Sequence, residues 1–202
     1  MSSAAPASAM RGDATLVGVS IPVPAPFGEE LQERRASYGD PLAETTPAHI
    51  TLLGPTEVVH AEVDELVAHL VDAARSVEPF VVVLRGTGTF RPVSDVVFVQ
   101  VARGISACEQ LEHGIRKGRW GVELAFPYHP HVTVAHAVAE DELDRAFDEL
   151  AHFVATFEVR SFHLYVQDGG GMWVPVREFP LGDLTGDLAA DWVSDLAGQA
   201  DG

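Results

Sequence analysis

The stretch AHITL at residues 48–52 returns as PHVTV at residues 130–134. In each copy a histidine and a threonine stand two positions apart and alternate with apolar residues, which is the period of a half-buried β-strand. Side chains two apart on a strand point to the same face and lie about 6.6 Å apart along the chain. Each copy therefore predicts a short strand that buries its apolar residues and presents an imidazole and a hydroxyl together on the other face.

Strands and helices are interleaved along the rest of the chain, and each motif strand comes directly before a helix. Apolar periodicity predicts helices over 27–38, 61–77, 104–117 and 140–151, and strands over 14–23, 49–53, 80–90, 95–102, 131–138, 153–166 and 172–179. The strand that begins at His49 should stop at Gly54-Pro55, because proline cannot donate a hydrogen bond to a sheet. The repeated order of elements predicts two related lobes, at 49–102 and 131–179.

The short connections at 91–94 and 168–171 suit β-hairpins, which require antiparallel pairing. We therefore expect an α+β fold in which two pseudo-symmetric lobes, each an antiparallel sheet with helices, surround a central cleft. This single bilobal domain should span 14–181, between a disordered start over 1–13 and an acidic tail over 182–202. The tail has helical spacing at Leu184, Leu188, Trp192 and Leu196.

Length and composition exclude several classes of protein. The chain has 202 residues, of which 47% are hydrophobic, so it can build a core and does not have the composition of a disordered chain. Its one cysteine, Cys108, excludes a disulfide framework and a cysteine-built metal site. No apolar run approaches the ~18 residues of a membrane span, and residues 1–10 lack the apolar stretch of an export signal. We expect a soluble, cytoplasmic monomer with no membrane partner.

The formal net charge of −17 argues against binding to long DNA or RNA, because that affinity comes from lysine and arginine meeting phosphates. The acidic excess is concentrated at 57–78, 140–149 and 181–202. By contrast, 79–136 carries six basic and four acidic residues. The charge pattern therefore favours a small nucleotide or the phosphate end of an RNA as the partner.

Two imidazoles and two hydroxyls that face one gap suit phosphodiester chemistry without a metal ion. One neutral histidine can take a proton from the attacking hydroxyl or water, and the other, protonated, can give one to the departing oxygen. The threonine hydroxyls can donate hydrogen bonds to the phosphate oxygens, whose charge needs stabilisation in the transition state. The candidate catalytic residues are His49 and His131, and the candidate phosphate-binding residues are Thr51 and Thr133.

With these motifs the chain resembles the two-histidine (2H) phosphoesterase superfamily, which includes the bacterial 2′-5′ RNA ligase-like proteins and cyclic nucleotide phosphodiesterases. The resemblance rests on the two motifs, on their separation and on the order of elements over about 14–181. It implies a bilobal fold and hydrolysis of 2′,3′-cyclic phosphates or related bonds without a cofactor, and it covers reversible 2′-5′ joining of RNA ends. Carried over by motif, His49 and His131 become the acid–base pair and Thr51 and Thr133 the phosphate ligands. We favour His131 as the base and His49 as the acid.

Two departures from the family pattern weaken the ligase assignment more than phosphodiester hydrolysis. Many relatives have a basic residue shortly after the second motif, where this chain has His136. Strand parity turns His136 away from the cleft unless a bulge intervenes. The ligase-like branch often has an Arg-Phe pair after the first motif, where this chain has Leu53-Gly54-Pro55.

Aromatic residues around the motifs could stack on a nucleobase, and Tyr128 is the best placed of them as a substrate-binding residue. The others are Phe90, Trp120 and Phe126. The glycines at 86–88 and 169–171 predict a strand irregularity and a turn, because neither run opens a helix as a phosphate-binding loop would.

Other functions stay open at this stage. His129 and His131 could bind a metal ion in a metallohydrolase, although no carboxylate stands within 126–138 and we predict no metal site. The paired motifs could also hold a nucleotide or an RNA end without turnover, or the histidines could be structural.

Overall fold

The computed structural model describes residues 14–121 and 126–182. The predictions of a disordered start over 1–13 and of a helix in the acidic tail lie outside these residues. The elements in chain order are β1 (Ala14–Pro22), α1 (Phe27–Ser37), β2 (His49–Val59), α2 (Val63–Arg75), β3 (Phe80–Thr89), β4 (Val96–Arg103), α3 (Ile105–Ile115), β5 (His131–His136), α4 (Glu140–Glu149), β6 (Val154–Val159), β7 (Ser161–Gln167) and β8 (Trp173–Pro180).

The strands form two antiparallel four-stranded sheets, which confirms the predicted α+β class. The strand order is β2-β1-β7-β8 in one sheet and β5-β4-β3-β6 in the other. Helices α2 and α3 contact the first sheet, through β8 and β2, while α1 and α4 pack on the second. Each motif strand is the edge strand of its sheet, and β2 and β5 contact one another. The two motifs therefore meet where the sheets meet.

The predicted division into lobes at 49–102 and 131–179 is wrong, because the two halves of the chain exchange strands. The segment 153–166, predicted as one strand, is two strands that separate at Arg160. Strand β6 pairs with β3, whereas β7 pairs with β1 and β8. The alternation of buried and exposed residues shifts by one position at the break: residues 155, 157 and 159 are buried before it, and residues 162 and 164 after it. The sequence carries the same shift, because the polar pair Arg160-Ser161 interrupts the alternation of apolar residues.

Strand β2 also does not stop at Gly54-Pro55 but continues to Val59. Gly54 and Pro55 lie at an irregularity in the pairing with β1, where neither has a register partner. Because β2 is an edge strand, no strand lies on its other side that would need a hydrogen bond from the missing N–H of Pro55. The strand can therefore continue through the proline.

The two motif strands contain the same β-bulge at the same place. In β2, Thr51 and Leu53 pair with consecutive residues of β1, and in β5 Thr133 and Ala135 pair with consecutive residues of β4. Each bulge therefore turns one extra residue toward the core. As a result two consecutive residues are buried in each strand, Leu52 and Leu53 in β2 and Val134 and Ala135 in β5. The bulges anchor both strands in the core directly after the motif and leave the histidines and threonines on the cleft side.

No helix among residues 14–121 and 126–182 is long and apolar enough to cross a membrane.

Candidate active site

His49 and His131 are held by the same kind of hydrogen bond. Nδ1 of His49 lies 2.6 Å from the carbonyl oxygen of Pro47, and Nδ1 of His131 lies 2.7 Å from that of His129. Because a carbonyl only accepts, Nδ1 carries the proton in both neutral rings, and the lone pair of each ring is on Nε2. Both rings are thus set to exchange a proton through Nε2.

The two threonines are placed differently. The Thr51 hydroxyl lies 3.1 Å from Nε2 of His49, so it donates to that nitrogen when the ring is neutral. Thr51 also lines both cavities described below. Thr133 is half-buried on the same face of β5 as His131, and it lines neither of these two cavities.

Aromatic rings surround His131. The centroids of Phe90 and Phe98 each lie 5.0 Å from that of its imidazole, and the ring of His129 is stacked on it at 6.2 Å. Burial among these rings lowers the pKa of His131, and the nearby charges of His129 and His49 lower it further. Phe98 was not among the aromatic residues predicted from the sequence.

Burial also lowers the pKa of His49, and the positive charge of Arg35 adds to this effect. Arg35 and Asp40 form an ion pair with an Nε–Oδ2 distance of 2.9 Å, and they are only 4% and 5% exposed. Arg35 also donates to the Thr46 carbonyl at 3.2 Å, which fixes the loop that carries Pro47. Sequence reasoning missed this pair, because Arg35 belongs to a helix without a strong apolar stripe.

Two adjoining cavities open beside the motifs. The larger, about 750 Å³, is bordered by His131, and the smaller, about 200 Å³, is bordered by His49. Both share Thr51 and residues 53–55 as a common wall. Thr51 therefore borders one cavity together with His49 and the other together with His131.

The predicted stacking residues divide between the larger cavity and the core. Phe90, Phe126 and Tyr128 line the larger cavity, whereas Trp120 is 5% exposed and belongs to the core. The Tyr128 hydroxyl donates to the Thr51 carbonyl at 2.9 Å, so this residue also connects the segment before β5 to β2. Burial raises the pKa of that phenol.

An ion pair between Glu112 and Arg116, 3.0 Å apart, also lines the larger cavity, and it was not predicted. His136 stands after the bulge in β5, which returns it to the face of His131 and Thr133. Strand parity would turn His136 away from the cleft in a regular strand, but the bulge is present, and His136 lies half-buried on the cleft side.

The described residues do not assemble a metal centre: across 14–121 and 126–182 there is no group of three or more side chains able to hold a metal ion. His129 contributes its carbonyl to His131 and stacks on it. Cys108 is fully buried, and burial raises the pKa of its thiol to about 12, so it is an unreactive core residue.

Comparison with known proteins agrees with this geometry. Residues 23–171 match the family described as the 2′-5′ RNA ligase superfamily. A protein of Bacillus licheniformis, named as a candidate phosphoesterase, is 29% identical over 159 residues, covering 76% of this chain and 94% of its own length. A Bacillus pumilus protein of the same description is 30% identical over 163 residues, 77% of this chain and 93% of its own. The crystal structure of E. coli LigT complexed with 3′-AMP has a TM-score of 0.60 at 20% identity, over 85% of this chain and 100% of that one, and shares its fold.

Proposed function

Because the chain belongs to the 2′-5′ RNA ligase superfamily, we propose that it is a metal-independent phosphodiesterase that opens 2′,3′-cyclic phosphates of a nucleotide or an RNA end. The observation that carries the proposal is the matched pair His49 and His131. Each ring has Nδ1 bound to a carbonyl two residues earlier, which leaves Nε2 for proton transfer beside Thr51.

The cavities suggest how the substrate lies. The larger cavity has room for a nucleoside and offers Phe90, Phe126 and Tyr128 as surfaces for its base. The phosphate then lies at Thr51, whose hydroxyl turns from Nε2 of His49 to donate to a non-bridging oxygen, and Thr133 is the second candidate donor. In this placement the ribose is on the side of His131 and the attacking water on the side of His49.

Hydrolysis then needs one proton transfer at each histidine. Nε2 of His49 takes a proton from water as the water oxygen bonds to phosphorus, and His131 gives its Nε2 proton to the ribose oxygen as the P–O bond breaks. The product is a nucleoside monophosphate, the class of ligand present in the LigT complex with 3′-AMP. This placement reverses the roles expected from the sequence, in which His131 is the base and His49 the acid.

The test is turnover of the four nucleoside 2′,3′-cyclic phosphates, with and without EDTA. Replacing His49 or His131 by alanine should each lower kcat about 10²–10⁴-fold, the usual contribution of one acid or base. His152→Ala is the matched control, since this histidine lies exposed in the turn after α4. Circular dichroism verifies that every variant is folded.

Other outcomes would exclude the proposal in distinct ways. Turnover that EDTA abolishes would indicate a metallohydrolase built around His129 and His131. Tight nucleotide binding without product would indicate a binding protein, and full turnover by both alanine variants would leave the histidines without a catalytic role.

A further inference from the structure

The larger cavity is lined mostly by apolar and aromatic side chains, yet its wall also contains the ion pair of Glu112 and Arg116. Nε of Arg116 lies 3.0 Å from Oε1 of Glu112, and each side chain is 12% exposed. The desolvation of two buried charges can cost as much free energy as their attraction returns, so stability does not explain the pair. Its position points instead to recognition of what the cavity holds.

The register of α3 turns this pair toward the cavity. The buried stripe of the helix consists of three residues, Cys108, Leu111 and Ile115. Glu112 and Arg116 lie at the border of that stripe, four residues apart and therefore on one face of the helix. Helix α3 contacts β2, whose residues 51–56 line the same cavity. The ion pair thus shares a cavity with Thr51, where the phosphate is placed.

Glu112 can accept further hydrogen bonds while the ion pair is intact. A carboxylate has two oxygens with about four acceptor sites, and Arg116 approaches this one at Oε1. Burial raises the pKa of the Glu112 carboxyl, while the positive charge of Arg116 opposes this effect and favours the ionised form. The wall therefore offers a ligand two acceptor atoms with a cation directly beside them.

Guanine has the matching order of groups on its Watson–Crick edge. Its N1–H and N2–H are adjacent and can both donate to one carboxylate, and its O6 beside them accepts from a guanidinium. Adenine offers a carboxylate only its N6 amino group, next to an acceptor at N1. Cytosine also carries one amino donor, followed by two acceptors that would compete with Glu112 for Arg116.

The rest of the cavity suits a purine. Its volume is about 750 Å³, and its wall includes the rings of Tyr128 and of Phe126, which is 64% exposed. A base stacked on one of these rings directs its edge, where the donors and acceptors lie, at the walls of the cavity. Stacking holds any base, so the choice among bases depends on the polar groups in the wall.

We propose that Glu112, with Arg116 beside it, selects guanine as the base of the nucleotide in the larger cavity. The carboxylate accepts from N1–H and N2–H, and the guanidinium donates to O6. This inference rests on the proposed function for the placement of the nucleoside. It adds the identity of the base, which the acid–base chemistry at His49 and His131 does not decide.

The experiment measures the binding of nucleoside 3′-monophosphates to the full chain by calorimetry, with guanosine, inosine, adenosine and cytidine as the nucleosides. Guanosine should bind about tenfold or more tightly than adenosine, the scale of one well-formed bidentate contact to a base. Inosine, which lacks only the 2-amino group of guanosine, should lie between them. These ligands carry no cyclic phosphate, so the measurement does not depend on turnover.

Glu112→Gln keeps the size of the side chain but replaces one acceptor atom by a donor. It should bring the affinities for guanosine and adenosine to within about twofold of one another. Glu109→Gln is the matched control, because it makes the same change of charge on the same helix, and Glu109 is exposed and lines neither cavity. This control should keep the wild-type preference.

If Glu112→Gln does not fold, Glu112→Met combined with Arg116→Met provides the second test. Apolar residues of similar size often replace a buried ion pair without loss of stability. The double variant should also lose the preference for guanosine while it still binds the other nucleotides.

A wild type that binds adenosine or cytidine as tightly as guanosine would overturn the assignment, and so would an unchanged preference in Glu112→Gln. An equal loss of preference in Glu109→Gln would overturn it too, since charge alone would then explain the effect. Failure of the proposed function is distinguishable, because it appears as absent turnover of every 2′,3′-cyclic phosphate by the unmodified chain, whatever the binding ratios.

Discussion

Replacing Arg35 by leucine should destabilise the protein and alter His49 at the same time. The substitution removes the bonds from Arg35 to the Asp40 carboxylate, at 2.9 and 3.3 Å, and the bond to the Thr46 carbonyl, at 3.2 Å. It leaves Asp40, which is 5% exposed, without its countercharge. Removing one partner of a buried ion pair typically costs about 3–5 kcal/mol, so we expect a loss of that size in the free energy of unfolding.

Urea unfolding measures this loss, and two further variants show its origin. Arg35→Leu combined with Asp40→Asn removes the unpaired charge but keeps an oxygen for the Leu42 N–H, which now donates to Asp40 at 2.8 Å. This double variant should regain most of the stability. Arg75→Leu is the control, because the Arg75–Asp72 pair, at 3.9 Å and more than half exposed on both sides, should contribute less than about 1 kcal/mol.

The same variants separate the electrostatic effect on His49 from the loss of stability. The charge of Arg35 lowers the pKa of His49, so its removal should raise that pKa in the single and the double variant alike, as followed by NMR titration of the imidazole. A cost below about 1 kcal/mol for Arg35→Leu, equal to that of the control, would refute the reasoning. The reasoning would also be contradicted if the pKa of His49 rose only in the destabilised single variant and returned to its wild-type value in the double variant.

Three other perturbations test the site. Burial lowers the pKa of both motif histidines from 6.5, and turnover needs one protonated and one neutral ring. The pH profile of kcat/KM should therefore peak below pH 6.5, and a peak above pH 7 would contradict this. Tyr128→Phe deprives the Thr51 carbonyl of its hydroxyl donor and should cost about 1 kcal/mol in chemical denaturation, while an unchanged midpoint would mean that the bond contributes nothing. Gly88→Ala would place a Cβ 2.5 Å from the Phe98 ring and should cost about 1–3 kcal/mol and reduce kcat/KM, whereas the control Gly169→Ala, with nothing within 4 Å, should match the wild type in both.

Much of the local structure could be predicted because it depends on residues close together in the sequence. The apolar stripe of α2, with Leu66, Val67 and Leu70 buried, is visible as a helical period. The histidine and threonine of each motif share a face because a strand has period two. The irregularity at 86–88 and the turn at 168–171 are present where the glycines indicated them.

The predicted contents of the site were incomplete for a different reason. Trp173, Ser20 and Tyr165 belong to β8, β1 and β7, and they join the wall beside His49 only because β7 pairs with β1. No local pattern marks them as neighbours of His49. Arg35 likewise reaches the loop before β2 through a hydrogen bond to a carbonyl, which leaves no trace in residue type.

The sequence alone was enough to predict the class of chemistry. Two copies of a histidine–threonine pair, each on an alternating strand before a helix, indicated an acid–base pair and two phosphate donors, and the negative charge indicated a compact phosphate partner. These inferences need only local geometry and residue chemistry.

Tertiary structure alone decided how the pairs meet. Strand exchange between the halves of the chain places β2 and β5 at adjoining sheet edges, and two equivalent bulges set which side chains enter the cleft. Pairing of strands distant in sequence is selected by the packing of the whole core, since many partners satisfy the same alternation. The sequence therefore predicted two reacting groups, and in the fold each of these histidines borders its own cavity.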